Sequence, residues 1–287
     1  MDRRVTAALL LAAAGISYEE NNRLTLSRFS VQSARLPEEF DGFSIVQLSD
    51  LHSKCFGPEQ SRLLRRVNQL APDLVCITGD LIDKRRYHRN GIAPALTLCR
   101  ELARERPVVF VSGNHEAALP FYPQLRRTLK NMGVMVLEDQ AVRLYREGAA
   151  LYLCGLRDPA FYWENRVPFR REVFRLCREA QGDFTLLLCH RPEPLEEYGA
   201  AGADLVLSGH AHGGQFRVPG AGPLWMPNQG VFPPLAEGAH RFGNTTMVIS
   251  RGLGNSLFPQ RLLNWPEVVY ITLNRREASE VKETGKK

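Results

Sequence analysis

The chain has no Cys-x-x-Cys pair, no internal repeat, no low-complexity tract and no long flexible linker. The first absence argues against a structural zinc cage, which is built from thiolates at short spacing. The six cysteines, at 55, 76, 99, 154, 177 and 189, lie mostly in apolar runs such as 73–78 and 185–190, and are expected to be buried thiols of a reducing compartment. Without repeats or linkers a solenoid or a string of modules is excluded, so everything from about Arg23 onward is expected to form one domain. Also missing is an apolar run of the roughly 20 residues that cross a bilayer. The stretch 5–16, behind Arg3 and Arg4, is too short; it fits a signal-peptide core or the remnant of a membrane anchor, with a helix packed on the domain as the alternative. The expected division is an apolar segment 1–22, a domain 23–274 and a polar tail 275–287.

Acidic residues are in the minority, 31 against 37 Lys and Arg, for a formal charge of +6. Such an excess favours anionic partners, and an anionic membrane surface, nucleic acid and phosphorylated metabolites all satisfy it. Nucleic acid ranks lowest, because no basic groove with stacking aromatics is evident. With 44% hydrophobic and 24% charged residues the chain can bury a core, which excludes disorder outside its ends.

Short β-rich runs predict strands at 43–48, 74–78, 108–111, 151–154, 185–189, 205–207, 246–249 and 268–273. Helical periodicity appears at 59–70, 92–105, 122–131 and 170–180. Alternation of the two predicts an α/β fold with sheets flanked by helices, and the Pro- and Gly-rich later part, 219–234, suggests antiparallel pairing there. The expected architecture is a four-layer α-β-β-α sandwich, two mixed β-sheets packed face to face with helices outside. The aromatic and basic run 161–171 is a candidate cap against lipid or substrate, with rim packing as the alternative.

Polar residues cluster at the ends of five predicted strands: Ser49-Asp50-Leu51-His52, Gly79-Asp80-Leu81-Ile82-Asp83, Gly113-Asn114-His115-Glu116, His190, and Gly209-His210-Ala211-His212. In open α/β sheets the carboxyl edge of the strands is where ligands bind. Asp50, Asp80, Asn114, His52, His190, His210 and His212 together offer mixed oxygen and nitrogen donors, which suit Mn, Fe or Zn better than Mg or Ca. Seven donors exceed one tetrahedral ion, whereas two divalent ions sharing a carboxylate fit the count and suit in-line displacement at phosphorus. Each short pattern alone is weak, since an Asp after a strand commonly caps a helix. Five blocks holding five of the seven histidines are not.

This ordered set resembles the calcineurin-like metallophosphoesterase superfamily, all five blocks lying in that order between Asp50 and His212. The later Arg251-Gly252-Leu253-Gly254 and Asn264-Trp265-Pro266-Glu267 are similar to a bacterial membrane-associated subgroup. The resemblance implies that Asp50, His52 and His212 hold one ion, that Asn114, His190 and His210 hold the other, and that Asp80 bridges them. It further implies that His115 faces the substrate and protonates the leaving oxygen, with Asp83 and Glu116 orienting the ligands from outside. Arg251 is a candidate for gripping a substrate phosphate, with a structural hydrogen-bonding role as the alternative. The expected activity is cleavage of a phosphodiester or pyrophosphate bond, in a small or lipid-linked molecule, by a hydroxide bridging the ions. A nuclease and a catalytically silent binding scaffold are the alternatives. The short apolar N-terminus and the subgroup point to membrane association, with the unpaired cysteines favouring the cytoplasmic face.

Overall fold

The structure is a computed structural model that describes residues 3–163, 166–214, 216–220, 222–226, 229–256 and 258–276. Its elements run α1 (Arg3–Asn22), β1 (Thr25–Ser33), β2 (Ser44–Leu48), α2 (Ser61–Leu70), β3 (Leu74–Thr78), α3 (Tyr87–Asn90), α4 (Ala93–Glu105), β4 (Val108–Val111), α5 (Asn114–Ala117), α6 (Tyr122–Asn131) and β5 (Met135–Val136). The second half continues with β6 (Gln140–Arg146), β7 (Ala149–Gly155), α7 (Arg166–Glu179), β8 (Thr185–Leu188), α8 (Leu195–Ala201) and β9 (Leu205–Ser208). Two small antiparallel hairpins follow, β10 (Arg217–Val218) with β11 (Gly222–Pro223) and β12 (Trp225–Met226) with β13 (Gly230–Val231). The last strands are β14 (Gly238–Phe242), β15 (Thr245–Ile249) and β16 (Glu267–Arg275).

Two six-stranded sheets form, in the orders β1-β16-β2-β3-β4-β5 and β14-β15-β9-β8-β7-β6. Both are mixed: β2 through β5 are parallel, as are β7, β8, β9 and β15, whereas β16 lies antiparallel to β2 and β6 antiparallel to β7. Burial on both faces explains why the central strands read as unbroken apolar runs. Successive side chains then alternate between two cores. Ile45, Cys76, Val109 and Val111 meet Leu186, Leu188, Leu205, Leu207 and Val248 between the sheets. Val46, Leu48, Val75, Ile77 and Phe110 face outward onto Leu63, Val67, Leu98, Leu102 and Leu129 of α2, α4 and α6. On the far side Leu187, Val206, Met247 and Ile249 pack on Phe169, Val173, Leu176 and Tyr198 of α7 and α8. The four layers expected from the sequence are present.

One polar pin crosses between the sheets. Gln47 of β2, fully buried, donates from Nε2 to the carbonyl of Ser208 at the end of β9 (2.8 Å) and to Thr78 Oγ1 of β3 (3.1 Å). It lies beside the strand ends that carry the polar motifs.

The expectation of membrane association is corrected. Among the described residues no helix is long and apolar enough to cross a membrane. The 5–16 stretch is part of α1, whose last turns, Tyr18-Glu19-Glu20-Asn21-Asn22, are polar and bonded to the domain. Glu20 is buried and accepts from Leu263 N and from Trp265 Nε1 (3.0 Å), while Asn21 Oδ1 accepts from Arg261 N (3.0 Å). Of the run 161–171, Phe161 packs on Tyr122, Phe169 is in the core and Trp163 is exposed, while Glu164 and Asn165 lie outside the described residues. The tail from residue 277 lies outside them as well.

Candidate metal centre

Four of the parallel strands end in the same way. Asp50, Asp80, His190 and His210 each stand two residues beyond the last residue of β2, β3, β8 and β9, and Asn114 opens α5 after β4. The ladder continues into these loops through Asp50 N to Gly79 O (3.0 Å), His52 N to Asp80 O (3.0 Å) and Gly209 N to His190 O (3.0 Å). Five of the seven expected ligands, Asp50, His52, Asp80, His210 and His212, have left-handed backbone, with φ between 50° and 67°. A non-glycine residue there costs of order 1–2 kcal/mol, and such strain gathers at functional sites. The turns swing side chains off the sheet edge and toward one another. Close approach also explains two motif glycines: a Cβ at Gly209 would lie 2.5 Å from Asp50 Oδ2, and one at Gly113 would lie 2.8 Å from Asp80 N.

Among the described residues the side chains form three overlapping groups. Asp50, His52 and His212 place donor atoms within 4.8 Å of one another, as do Asp50, Asp80 and His190, and His52, Asp80 and His115; the first two mark the two sides of the centre. His52 Nε2 and His212 Nε2 are 3.0 Å apart, and His212 Nε2 lies 3.3 Å from Asp50 Oδ1. On the other side His190 Nε2 lies 3.2 Å from Asn114 Oδ1 and 3.3 Å from Asp80 Oδ2, and the His210 ring stands 5.0 Å from the His190 ring. Asp80 Oδ2 is also 3.7 Å from His52 Nε2, which sets this carboxylate between the groups.

Electrostatics and unsatisfied atoms give the fit of cations to these donors. Burial lowers the His52, His210 and His212 imidazoles well below their ordinary pKa, leaving them neutral, the state in which a ring nitrogen can bind a cation. Burial and the charge of Asp80 raise Asp50 to about 6. Burial acts to lower His190, but Asp80 and Asp50 outweigh it and raise that histidine to about 10, so the carboxylate pair draws positive charge to itself. Asp50 Oδ1 and His210 Nε2 are buried without a hydrogen-bond partner, which is costly unless another group satisfies them. A pair of divalent cations answers the lone pairs, the charge and the orphaned atoms together.

Around these groups lies a ring of supports. Glu116 Oε2 accepts from Asp80 N and Gly113 N, both at 2.8 Å, tying the two loops; burial and the Asp80 charge push its carboxyl up to about 8 while those N–H groups oppose the shift. Thr78 O lies 2.7 Å from His190 Nδ1, which turns Nε2 inward. His115 Nδ1 accepts from Lys84 N (3.0 Å) and lies 3.5 Å from Asp83 Oδ1, and Nε2 points inward, 4.0 Å from Asp80 Oδ2. The Arg251 guanidinium meets Glu267 (3.0 Å), Glu237 (3.5 Å) and Thr25 Oγ1 (3.1 Å), contacts of the kind a structural role would make.

Sequence reasoning missed three residues here. Asn264 Nδ2 donates to His212 O (2.6 Å), and fully buried Arg261 donates to the carbonyls of Arg251 (2.9 Å), Gly252 (3.2 Å) and Asn264 (3.1 Å), fixing the loop behind Asp50. Both lie outside the five blocks; Asn264 opens the later Asn264-Trp265-Pro266-Glu267 run, but nothing in that run marks its bond to His212 O. Glu193 stands beside His210 and could have been found, since it follows His190 in the same strand-end loop.

Residues 43–214 match the calcineurin-like phosphoesterase family, and the chain belongs to it. The chain is 28% identical to the uncharacterized metallophosphoesterase YkuE of Bacillus subtilis over 278 residues, 94% of this chain and 93% of the other. It is 29% identical to the phosphodiesterase YaeI of Escherichia coli over 237 residues, 80% and 82% of the two chains. Among solved structures, a dimetal phosphatase from Danio rerio shares the fold with a TM-score of 0.50 at 13% identity, over 74% of this chain and 88% of that one. The protein is a metal-dependent phosphoester hydrolase.

Proposed function

We propose that the protein cleaves a phosphodiester or pyrophosphate bond in a small or lipid-linked molecule, using two divalent cations. The observation that carries this reading is the position of Asp80, whose Oδ2 lies 3.7 Å from His52 on one side and 3.3 Å from His190 on the other. Asp50, His52 and His212 hold the first cation; Asn114, His190 and His210 hold the second; Asp80 is shared. Mixed imidazole, carboxylate and amide donors favour Mn, Fe or Zn. Bound there, the cations supply Lewis acidity at a phosphoryl oxygen and lower the pKa of water so that a nucleophile exists at neutral pH.

The chain's own residues do the rest. In the resting ring Nδ1 accepts from Lys84 N; charged as the imidazolium, His115 would present Nε2–H inward, bind a phosphoryl oxygen and give that proton to the leaving oxygen, returning to the neutral ring. Glu116 and Thr78 keep Asp80 and His190 turned inward, so the donors are ordered before substrate arrives. Asp83 stands behind His115 and favours the protonated ring as it forms. The guanidinium of Arg251 is held by carboxylates and has no part in this reading. A diester preference is supported by the name of the Escherichia coli relative.

The test is hydrolysis after reconstitution with each of Mn, Fe and Zn. Turnover of bis-p-nitrophenyl phosphate, with metal content approaching two equivalents, is expected; a sugar-nucleotide panel then separates pyrophosphates from diesters. No turnover with any of the three ions would favour a silent scaffold and overturn the proposal.

A further inference from the structure

Glu193 is a carboxylate in a place where carboxylates are expensive. Both its oxygens are buried, and among the described residues neither accepts a hydrogen bond from any residue but Glu193 itself. The loop that carries it is nonetheless firmly built. Arg191 forms a two-pronged bond to Asp158 (2.8 and 3.0 Å), and its carbonyl accepts from the hydroxyl of Tyr198 (2.8 Å) in the middle of α8. Glu193 is thus placed rather than left over, and an unsatisfied buried carboxylate persists only when something else compensates it.

Next to it is a matching donor. His210 Nε2 is buried, has no partner and lies 3.9 Å from Glu193 Oε1, too far for a hydrogen bond and with no other bond in competition. A neutral imidazole carries one N–H and one lone pair. If Nε2 holds the hydrogen beside Glu193, Nδ1 offers its lone pair to a cation. Histidines that bind metals commonly give their second nitrogen to a carboxylate, which fixes the tautomer and strengthens the ligand. Thr78 O already does this for His190, and His210 has only Glu193.

We propose that Glu193 is the positioning residue for His210, closing onto Nε2–H when the second cation binds and holding Nδ1 as its ligand. This rests on the assignment of His210 to the second cation. Part of the affinity for that cation then comes from satisfying a largely buried carboxylate that the metal-free protein leaves without a partner from another residue, so Glu193 links loop and ligand across two strand ends.

Calorimetric titration of the metal-free protein with Mn or Zn tests it, comparing the parent with Glu193→Gln, Glu193→Ala, His210→Ala and the double variant Glu193→Ala/His210→Ala. Glu193→Ala is expected to weaken the second equivalent roughly 10–100-fold with the first unchanged, and Glu193→Gln, which still accepts a hydrogen bond, less so. In the double variant the loss should equal that of His210→Ala alone, since the carboxylate acts only through that ring. Metal-free Glu193→Gln should melt no lower than the parent, because the unsatisfied charge is gone. An unchanged second equivalent, equal weakening of both, or additive losses in the double variant would overturn the inference while leaving the two-cation reading intact. A parent that takes up fewer than two equivalents would instead defeat that reading, and this inference with it.

Discussion

His115 and Asp80 are neighbours across the centre, and their different surroundings separate their roles. Asp80 stands between the two groups of donors, with His52 at 3.7 Å and His190 at 3.3 Å. Asp80→Ala should therefore abolish both metal uptake and turnover, read by elemental analysis beside a diesterase assay. His115 stands in a cluster with His52 and Asp80 but reaches Asp80 Oδ2 only at 4.0 Å, farther than His52 or His190, so His115→Ala should keep its metal while turnover falls about 10²–10⁴-fold, the usual contribution of a general acid. Equal metal loss in both variants would show that His115 is a ligand. At this scale the sequence was most legible, since the five blocks name every donor the structure gathers. What they could not name are residues acting from behind. Asn264 and Arg261 work through backbone carbonyls, and a hydrogen bond to a carbonyl leaves no signature in residue type or spacing.

The elements divide by burial. Eight strands read as continuous apolar runs, seven of them buried on both faces and β16 half-buried at Tyr270 and Thr272, and all eight stand where those runs lie, as do the four helices with a strong apolar face. The strands that escaped notice are at or beside sheet edges. β1 reads Thr-Leu-Ser-Arg-Phe-Ser-Val-Gln-Ser and β6 reads Gln-Ala-Val-Arg-Leu-Tyr-Arg, alternations diluted by polar residues facing solvent. α1 was legible only in its apolar half, because its attachment is made by the polar turn that follows. Glu20 satisfies Leu263 N and Trp265 Nε1, in the same segment that carries Asn264 to His212. Glu20→Ala leaves two donors unmatched and should lower stability by about 1–3 kcal/mol, measured by urea denaturation. An unchanged midpoint would mean that the last turn of α1 contributes nothing to holding that segment.

For the whole molecule, two buried carboxylates and four imidazoles brought together with only His190 to balance charge oppose folding, and cations reverse that opposition. Anything that binds the folded state alone stabilises it by mass action, about 2.7 kcal/mol at a free concentration 100 times Kd. For a domain of this size each kcal/mol is worth roughly 2–4 °C in Tm, so saturating Mn or Zn should raise the midpoint on the order of 5–10 °C. Calorimetry with and without a chelator reads this directly, and no shift would argue that these donors do not bind the ions.

The donors are shared between sheets: Asp50, His52, Asp80 and Asn114 follow strands of the first, His190, His210 and His212 strands of the second, with Gln47 bonded across to Ser208 nearby. The centre is therefore a seam, and whatever ties it also laces the two halves together. Creep of one layer over the other, a motion a packed interior resists, is the route by which distant trimming of the shared core would loosen a grip it never touches.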